Sequence, residues 1–281
     1  MRRVAVSLSD LDAAIDAESQ GWLTRPNRKW SEIKVVYLRL QGWKCLFCES
    51  ALPEVDHDSA ALVAVAIDID HFRPKNKCTI WPGRRPASVE TNTMTVLAKG
   101  LRSGPAGGYP QLALDRLNYA VACKPCNSSF KGTYFPILGT PDATGSTDIA
   151  YLNQMEQPAL LFPFGPHGDD PAQFLQFMGP LVTARNSIDD AAGTRAQVTI
   201  DLFELDTRES LLGERMALIE RLWPALERRD EALVAGLCAD TSRSGHIECQ
   251  RAYVALYGQD RESARLLYEA ALTYTRSKTP R

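Results

Sequence analysis

Four cysteines in two pairs have the types and spacing of a metal site. The pairs are Cys45-Leu-Phe-Cys48 and Cys123-Lys-Pro-Cys126, with 74 residues between them. Two CxxC turns supply the four thiolates of a closed tetrahedral zinc site, and in a reducing compartment clustered cysteines bind metal rather than form disulfides. The pairs therefore predict one structural zinc site formed by all four cysteines. The alternative is four unrelated buried thiols.

A second group of polar residues lies between and beside the cysteine pairs. The segment Ile67-Asp-Ile-Asp70-His71-Phe-Arg-Pro-Lys75 ends an apolar stretch, and Asn118 and Asn127 stand on either side of the second pair. An Asp-His pair at a strand end, followed by an Asn and then by an Asn just beyond a second CxxC pair, resembles the HNH endonucleases of the ββα-metal class. The segments DHFRPK and CKPCNSSFKGTYFP are similar, more particularly, to the HNH subunits of Septu-like anti-phage defence systems.

This resemblance covers residues 40–136 and, more weakly, the segments LLFPF and QVTIDLFELDTRESLLGER. It implies an α+β fold in which N-terminal helices precede a ββα-metal HNH core with a treble-clef-like zinc site, and a mostly helical region follows. It implies a metal-dependent endonuclease that hydrolyses the phosphodiester bonds of nucleic acid, with DNA expected rather than RNA. It also implies an effector of prokaryotic defence that works with a partner ATPase. Because the chain has no Gly-x-x-x-x-Gly-Lys-Ser/Thr loop, another chain would have to bind the ATP.

The residue types are consistent with the roles that this resemblance implies. Phosphodiester hydrolysis needs a base for the attacking water and a cation to stabilise charge on the phosphate and the leaving oxygen. His71, whose ordinary pKa would be about 6.5, is the expected general base, and the oxygens of Asp70 and Asn127 suit Mg²⁺ or Mn²⁺. By resemblance, Asn118 holds the loop or the ring of His71. The candidates for contacts with substrate phosphates are Arg73, Lys75 and Lys131.

The neighbouring acidic residues set a geometric condition on this site. Adjacent strand residues face opposite sides of a sheet, so Asp70 and His71 share one site only if the strand ends or bulges there. Asp68 shares a strand face with Asp70 and is expected to be solvated. The similar tripeptide Asp56-His57-Asp58 lacks a preceding strand and the FRPK continuation, so we expect it to be a loop.

The elements expected to position these residues are short. Helices are predicted over residues 9–20 and 26–41, where apolar side chains recur at helical spacing. Apolar and β-branched residues predict strands over 61–69 and 117–122. Residues 76–116 are rich in turn-forming and basic residues and predict an insertion with little regular structure.

The rest of the chain is predicted to be mostly helical after a hairpin. The hairpin is expected over 174–183, and helices from about Asp189 onward, interrupted at Pro224 and at 242–245. The predicted division of the chain is into N-terminal helices (1–44), the zinc-containing nuclease core (45–136) and the C-terminal region (137–281).

The composition is that of an ordinary globular protein, with 44% hydrophobic and 23% charged residues and a net charge of −2. No apolar run reaches the roughly 20 residues of a membrane span, and no secretory signal opens the chain, so we expect a cytoplasmic protein. Six acids and no Lys or Arg lie in 45–70, between blocks 25–44 and 71–102, in which basic residues outnumber acids six to one and seven to one. The blocks predict a phosphate-binding surface around a cation site, or else solvated faces that never meet.

Two alternatives to an enzyme stay open at this point. A non-catalytic zinc module could hold nucleic acid with the basic insertion, and a docking scaffold could present the apolar stripe of the C-terminal helices to a partner. Neither alternative needs a general base. The set of Asp70, His71 and Asn127 therefore favours the nuclease.

Overall fold

The strands form small antiparallel pairs. In the computed structural model, which describes residues 1–53, 67–84, 97–239 and 244–278, they are β1 (Ile67–His71), β2 (Arg102–Ser103), β3 (Tyr119–Cys123), β4 (Pro136–Ile137), β5 (Leu175–Met178) and β6 (Leu181–Ala184). β1 pairs with β3, β2 with β4, and β5 with β6. In the first pair, Asp70 lies opposite Ala120 and His71 opposite Tyr119. The Asp-His segment is thus paired with the strand that leads into the second cysteine pair.

Most of the remaining elements are helices. The α-helices are α1 (Leu8–Glu18), α2 (Lys34–Leu40), α3 (Ile149–Glu156), α4 (Ala191–Phe203), α5 (Glu209–Glu227), α6 (Glu231–Cys238), α7 (Ile247–Gln259) and α8 (Arg261–Lys278). The side chains of Asp148, Asp190 and Asp230 accept backbone N–H bonds at the starts of α3, α4 and α6. A short π-helix, Pro125–Lys131, follows β3. The fold is therefore a mixture of helices and small sheets.

The N-terminal elements follow the sequence predictions with different ends. The helix predicted over 9–20 is α1, and Ser7 caps it. The helix predicted over 26–41 is replaced by a 3-10 turn, Trp30–Ile33, which is followed by α2. The strand predicted over 61–69 continues to His71, and its first part, 61–66, lies outside the described residues. The strand predicted over 117–122 begins only at Tyr119, because Arg116–Asn118 forms a 3-10 turn.

The predicted hairpin is confirmed as β5 and β6, whereas the predicted helix break at Pro224 is wrong. Helix α5 passes through Pro224 without interruption. Pro224 has no N–H, so the carbonyl of Glu220 loses its helical partner, and the helix continues for only three more residues, to Glu227. The later break is seen at residues 244 and 245, which precede α7, while 240–243 lie outside the described residues.

One apolar core joins the N-terminal, central and following segments. It extends from Leu11 in α1, through Ile67 and Tyr119 in the strand pair, to Leu211 in α5. This core continues across the predicted boundaries after residues 44 and 136. A second apolar cluster, which includes Leu222, lies among α5, α6, α7 and α8. Among the helices of the described ranges, none has the length and apolar character needed to cross a membrane.

Candidate active site and zinc centre

The two cysteine pairs meet at one point of the structure. The first pair lies in the turn after α2, where the N–H of Glu49 donates to the carbonyl of Cys45. The N–H of Leu46 donates to the carbonyl of Val121, which attaches this turn to β3. The second pair spans the end of β3 and the start of the π-helix. As a result, the sulfur atoms of all four cysteines lie within 4.8 Å of one another.

The sulfur spacing fits a bound metal better than a disulfide. The Sγ atoms of Cys48 and Cys123 are 3.7 Å apart. Zn–S bonds of about 2.3 Å in a tetrahedron place sulfurs about 3.8 Å apart, whereas a disulfide needs about 2.0 Å. Among the residues that the structure describes, this is the only place where three or more His, Cys, Asp or Glu side chains bring their ligand atoms together. The four cysteines could therefore hold a metal such as zinc.

Arg208 adds a positive charge that the cysteine pattern does not reveal. Its Nη1 and Nη2 atoms lie 3.5 and 3.6 Å from the Sγ atom of Cys126, and its guanidinium lies 5.0 Å from the ring centroid of Phe130. Hydrogen bonding with Cys123 and the other cysteines, assisted by the charge of Arg208, holds the pKa of the Cys48 thiol well below its usual range. Four thiolates around Zn²⁺ leave a net negative charge, which Arg208 would partly offset.

Replacing Arg208 with methionine is expected to weaken zinc binding by about 10- to 100-fold, as loss of a group that hydrogen-bonds to a metal ligand commonly does. Methionine keeps apolar contact with Phe130 but removes both donors to the sulfur of Cys126. Competition against a chromogenic chelator measures the affinity. Arg221→Met, an exposed position on α5, is the matched control. Equal zinc affinity in the two variants would contradict the role of Arg208.

The side chain of Asp70 points toward the π-helix and is buried there. Its Oδ1 atom lies 2.9 Å from the Nζ atom of Lys131, which also donates to the carbonyl of His71 at 2.8 Å. The Oδ2 atom of Asp70 is buried and has no hydrogen-bond partner among the described residues. Burial raises the pKa of the Asp70 carboxyl, and the charge of Lys131 opposes that rise. One carboxylate oxygen is thus paired, and the other is buried without a hydrogen-bond partner among the described residues.

The ring of His71 lies on the opposite side of β1, between two aromatic rings. The centroids of Trp30 and Tyr119 are 5.2 and 5.1 Å from the imidazole, and both rings stand nearly perpendicular to it. The Nε2 atom lies 3.1 Å from the carbonyl oxygen of Ala113. Because a carbonyl only accepts hydrogen bonds, Nε2 carries the proton of the neutral ring and Nδ1 is left as the basic nitrogen. Burial lowers the pKa of His71 to about 4, so the ring is neutral at pH 7.

Acid is therefore expected to destabilise the fold through His71. The pKa of the ring is about 4 when folded and about 6.5 when unfolded, so the unfolded state takes up the proton first as the pH falls. The stabilisation is complete above pH 6.5 and is lost as the pH falls towards 4. Lowering the pH from 7 to 5 should reduce the free energy of unfolding by about 2 kcal/mol through this residue. Denaturant unfolding at the two pH values measures this reduction. In His71→Gln the reduction should be smaller by the contribution of His71. An equal drop in both proteins would refute the assignment.

Asn118 connects to the segment that follows His71. Its Oδ1 atom accepts from the N–H of Arg73 at 2.8 Å, and its Nδ2 atom donates to the carbonyls of Arg73 and Leu112 at 3.0 and 3.3 Å. Its own carbonyl accepts from the N–H of Phe72 at 2.9 Å. These bonds fix the backbone immediately after the candidate base, and the side chain of Asn118 is too buried to meet a substrate.

Asn127, in the π-helix, packs against the face of β1 that carries Asp68 and Asp70, and it bonds to Asp68 rather than to Asp70. The Nδ2 atom of Asn127 donates to the Oδ2 atom of Asp68 at 2.9 Å, and the other oxygen of Asp68 lies 2.8 Å from Nζ of Lys124. Asp68 is therefore ion-paired rather than simply solvated. The two predicted ligands, Asp70 and Asn127, are positioned by the same strand and π-helix and hydrogen-bond to different residues.

Arg73 is a core residue, which corrects the prediction that it contacts substrate phosphates. It is 1% exposed, and its Nε atom lies 2.9 Å from the Oε2 atom of Glu156. Its Nη2 atom donates to the Oδ1 atom of Asn153 at 3.0 Å. The guanidinium also lies 5.3 to 5.8 Å from the ring centroids of Phe72, Tyr109 and Phe135. An arginine enclosed in this way has no surface on which to meet a phosphate.

The other two predicted phosphate contacts differ in exposure. Lys131 is fully buried against Asp70. Lys75 is partly exposed, and its ammonium lies 3.5 Å from the ring centroid of Trp30, which borders His71. Lys75 is therefore the predicted contact that the structure leaves near the surface. The tripeptide 56–58 and residues 85–96 of the basic insertion lie outside the described residues.

Comparison with known proteins identifies a distant relative. No family model matches the chain. The chain is 24% identical over 155 residues to the Septu protein PtuB of Bacillus mycoides (strain KBAB4). The match covers 53% of this chain and 39% of the length of that relative. The protein is therefore a distant homologue of the Septu protein PtuB.

Proposed function

We propose that the protein is a metal-dependent HNH endonuclease that acts in anti-phage defence. Two neighbouring residues at the end of one strand carry this proposal. His71 is a neutral imidazole of fixed tautomer, and Asp70, whose side chain lies on the other face of β1, is a buried carboxylate with an unbonded oxygen. A proton acceptor and an anionic oxygen for a cation are what metal-assisted phosphodiester hydrolysis requires of a protein. The distant relationship to the Septu protein PtuB supports the defence role. The β1–β3 pair followed by the π-helix is the order of elements expected for a ββα core.

In this function, His71 accepts the proton of the attacking water at Nδ1. The carbonyl of Ala113 holds Nε2–H, so the ring cannot rotate freely or change tautomer without losing that bond. The same bond becomes charge-assisted as the imidazolium forms and therefore strengthens. Trp30 and Tyr119 keep the ring at right angles to their own planes and limit its movement. The low pKa of His71 ensures that the base is unprotonated at neutral pH.

The predicted cation ligands fit this function in part. A divalent cation, when bound, would stabilise the charge on the phosphate and the leaving oxygen. The free Oδ2 atom of Asp70 suits such a cation, and Asn127 offers an amide oxygen on the same face of β1. Lys131 neutralises Asp70 in this structure, so binding of a cation has to share the carboxylate with the lysine or displace it.

The zinc centre would hold this site in place. Cys126, Asn127 and Lys131 belong to the same π-helix, and Cys123 ends the strand that pairs with β1. A metal bound by the cysteines therefore fixes the position of the side chains that face Asp70 and Asp68. We assign zinc this structural role because all four ligand positions would be filled by the protein, which leaves none for water or substrate.

The test is a cleavage panel with matched protein variants. Plasmid DNA, single-stranded DNA and total RNA are each incubated with Mg²⁺, Mn²⁺ or EDTA, using zinc-loaded protein and His71→Ala. We expect cleavage that requires a divalent metal and falls by about 10²- to 10⁴-fold in the variant, the usual contribution of a general base. Gln259→Ala, at an exposed position at the end of α7, is the control. Cleavage that persists in EDTA or in His71→Ala would overturn the proposal.

We also propose that cleavage depends on a partner ATPase, as in the systems that the sequence resembles. The panel is therefore repeated in a lysate that contains the products of the neighbouring genes, in the presence and absence of ATP. Metal-dependent cleavage that appears only with the partner supports a two-component nuclease. Salt-sensitive nucleic acid binding without cleavage, unchanged by divalent metal under both conditions, would instead identify a non-catalytic binding module.

A further inference from the structure

A cavity of about 360 Å³ lies beside Phe72 and Arg73, which follow the candidate general base His71. Its walls are largely apolar and include Phe72, Leu117, Leu138, Phe162 and Phe164. Its volume falls within the range of about 300–1,000 Å³ that is typical of small-molecule sites, which are mostly apolar with a few placed polar groups. Neither the zinc centre nor the proposed hydrolysis uses this cavity.

Three partly buried polar side chains line the cavity with hydrogen-bonding capacity to spare. Arg195 uses Nε and Nη2 in bonds to two backbone carbonyls and to Asp169, so its Nη1 atom remains. Asp169 accepts twice at Oδ2, from Arg195 and from the N–H of Phe162, so its Oδ1 atom remains. Asn153 accepts from Arg73 at Oδ1, so its Nδ2 donor remains. Within the described part of the chain, these three atoms have no protein partner, and together they offer two donors and one acceptor.

The charges around the cavity neutralise one another. Arg195 and Asp169 form an ion pair of 2.8 Å, and Arg73 is paired with Glu156 at 2.9 Å. The cavity therefore offers no excess positive charge to a phosphate or carboxylate group, and no excess negative charge to a cation. The part of a ligand that enters this cavity should be uncharged and flat enough to lie against the aromatic side chains. It should also be able to donate and to accept hydrogen bonds.

We propose that this cavity binds the nucleobase of a nucleotide. A nucleobase has a flat apolar face and an edge that carries adjacent donors and acceptors, which fits phenylalanine walls with Arg195, Asp169 and Asn153 at one side. The base belongs either to a free nucleotide or to an unpaired nucleotide of a nucleic acid strand. A sugar and phosphate would remain outside, toward the exposed residues Pro166 and His167 at the rim.

The cavity is connected to the candidate active site by a short series of hydrogen bonds. Asn153 bonds to Arg73 at 3.0 Å, and Arg73 bonds through its backbone to Asn118 at 2.8 and 3.0 Å. Phe72, which lines the cavity, directly follows His71. A nucleobase bound in the cavity would therefore contact the residues that hold His71, the candidate general base, in place. Binding of the nucleobase does not depend on the proposed nuclease function.

The test is a calorimetric titration of the zinc-loaded full chain with guanosine, adenosine, cytidine and uridine in turn. We expect at least one nucleoside to bind. Ala191→Phe fills the cavity from the exposed first position of α4 without removing a hydrogen bond, and it should weaken that binding by more than about tenfold. Ala150→Phe, at an exposed position near the start of α3 and outside the cavity, should bind as the unmodified protein does.

A second variant tests the polar side of the cavity. Asp169→Asn keeps the size of the side chain and an acceptor for the N–H of Phe162, and it should weaken binding of a nucleoside that donates to the carboxylate by about tenfold. A single-stranded oligonucleotide that displaces the nucleoside assigns the site to a base of a strand, whereas displacement only by the free nucleotide assigns it to a mononucleotide. Failure of all four nucleosides to bind, or equal binding in Ala191→Phe, would overturn the proposal.

Discussion

Replacing Cys126 with serine is expected to abolish cooperative unfolding of the central region and to reduce the bound zinc to a small fraction. Cys126 is fully buried and joins the π-helix to the turn after α2. Zinc contributes about 10–16 kcal/mol to the folding of small zinc peptides at neutral pH, while whole domains are stable by only about 5–15 kcal/mol. Loss of one of four ligands therefore removes free energy comparable to the entire stability of the fold.

The measurement combines thermal unfolding, followed by circular dichroism, with metal analysis of the purified protein. Cys78→Ser is the matched control, since Cys78 is also a buried cysteine but lies outside the four-cysteine cluster. Cys78→Ser should lower the free energy of unfolding by only a few kcal/mol, as a polar substitution in a core does, and leave the zinc content unchanged. A strong chelator should reproduce the effect of Cys126→Ser in the unmodified protein. If Cys126→Ser melted at the same temperature and kept its zinc, the cysteines would not form a structural site.

The four-cysteine cluster could be predicted from the sequence because its information is local. Each CxxC pair forms its own turn, and two turns need only meet for the site to be complete. The directions of the Asp70 and His71 side chains differ from the expectation of one shared site, because strand alternation continues through both residues. A shared site for Asp70 and His71 required the strand to end or bulge at that point. Both residues instead stay paired in β1, and the structure places Asp70 against the π-helix and His71 against Trp30 and Tyr119.

The partners of the charged residues could not be predicted, because they are distant in the chain. Arg73 looked like a phosphate contact from its place in the motif, yet its partner Glu156 is 83 residues away. Burial of that pair depends on how α3 packs against aromatic rings near β1, which no local pattern encodes. Arg208 is separated by 82 residues from Cys126, the thiol that it contacts. Arg208 lies in a segment with weak similarity to Septu-like proteins, and nothing in that similarity singled it out.

Lys131→Met is expected to reduce the free energy of unfolding by about 3–5 kcal/mol at neutral pH. Lys131 and Asp70 form an ion pair of 2.9 Å in which both side chains are at least 96% buried. Removing the ammonium leaves a buried carboxylate without a compensating charge, and it also removes the donor to the carbonyl of His71. Methionine occupies a similar volume, so the loss arises from charge and hydrogen bonding more than from packing. Denaturant unfolding measures the change.

The double variant Asp70→Asn/Lys131→Met is the control for this interpretation. Replacing both members of a buried ion pair is often close to neutral, so the double variant should recover most of the stability lost in Lys131→Met. A double-mutant cycle with Asp70→Asn then isolates the energy of the pair. Additive losses in the two single variants would show that Asp70 and Lys131 do not stabilise each other.

The same variants test whether Asp70 can hold a cation. In Lys131→Met, both oxygens of Asp70 lack a positive partner, so Mg²⁺ should bind the folded state more tightly than in the unmodified protein and raise its stability. At a Mg²⁺ concentration 100 times its dissociation constant, the gain would be about 2.7 kcal/mol. The double variant, which lacks the carboxylate, should show no such gain. Equal responses to Mg²⁺ in all variants would mean that the free oxygen of Asp70 is not a cation site, and the proposed hydrolysis would then need a different ligand.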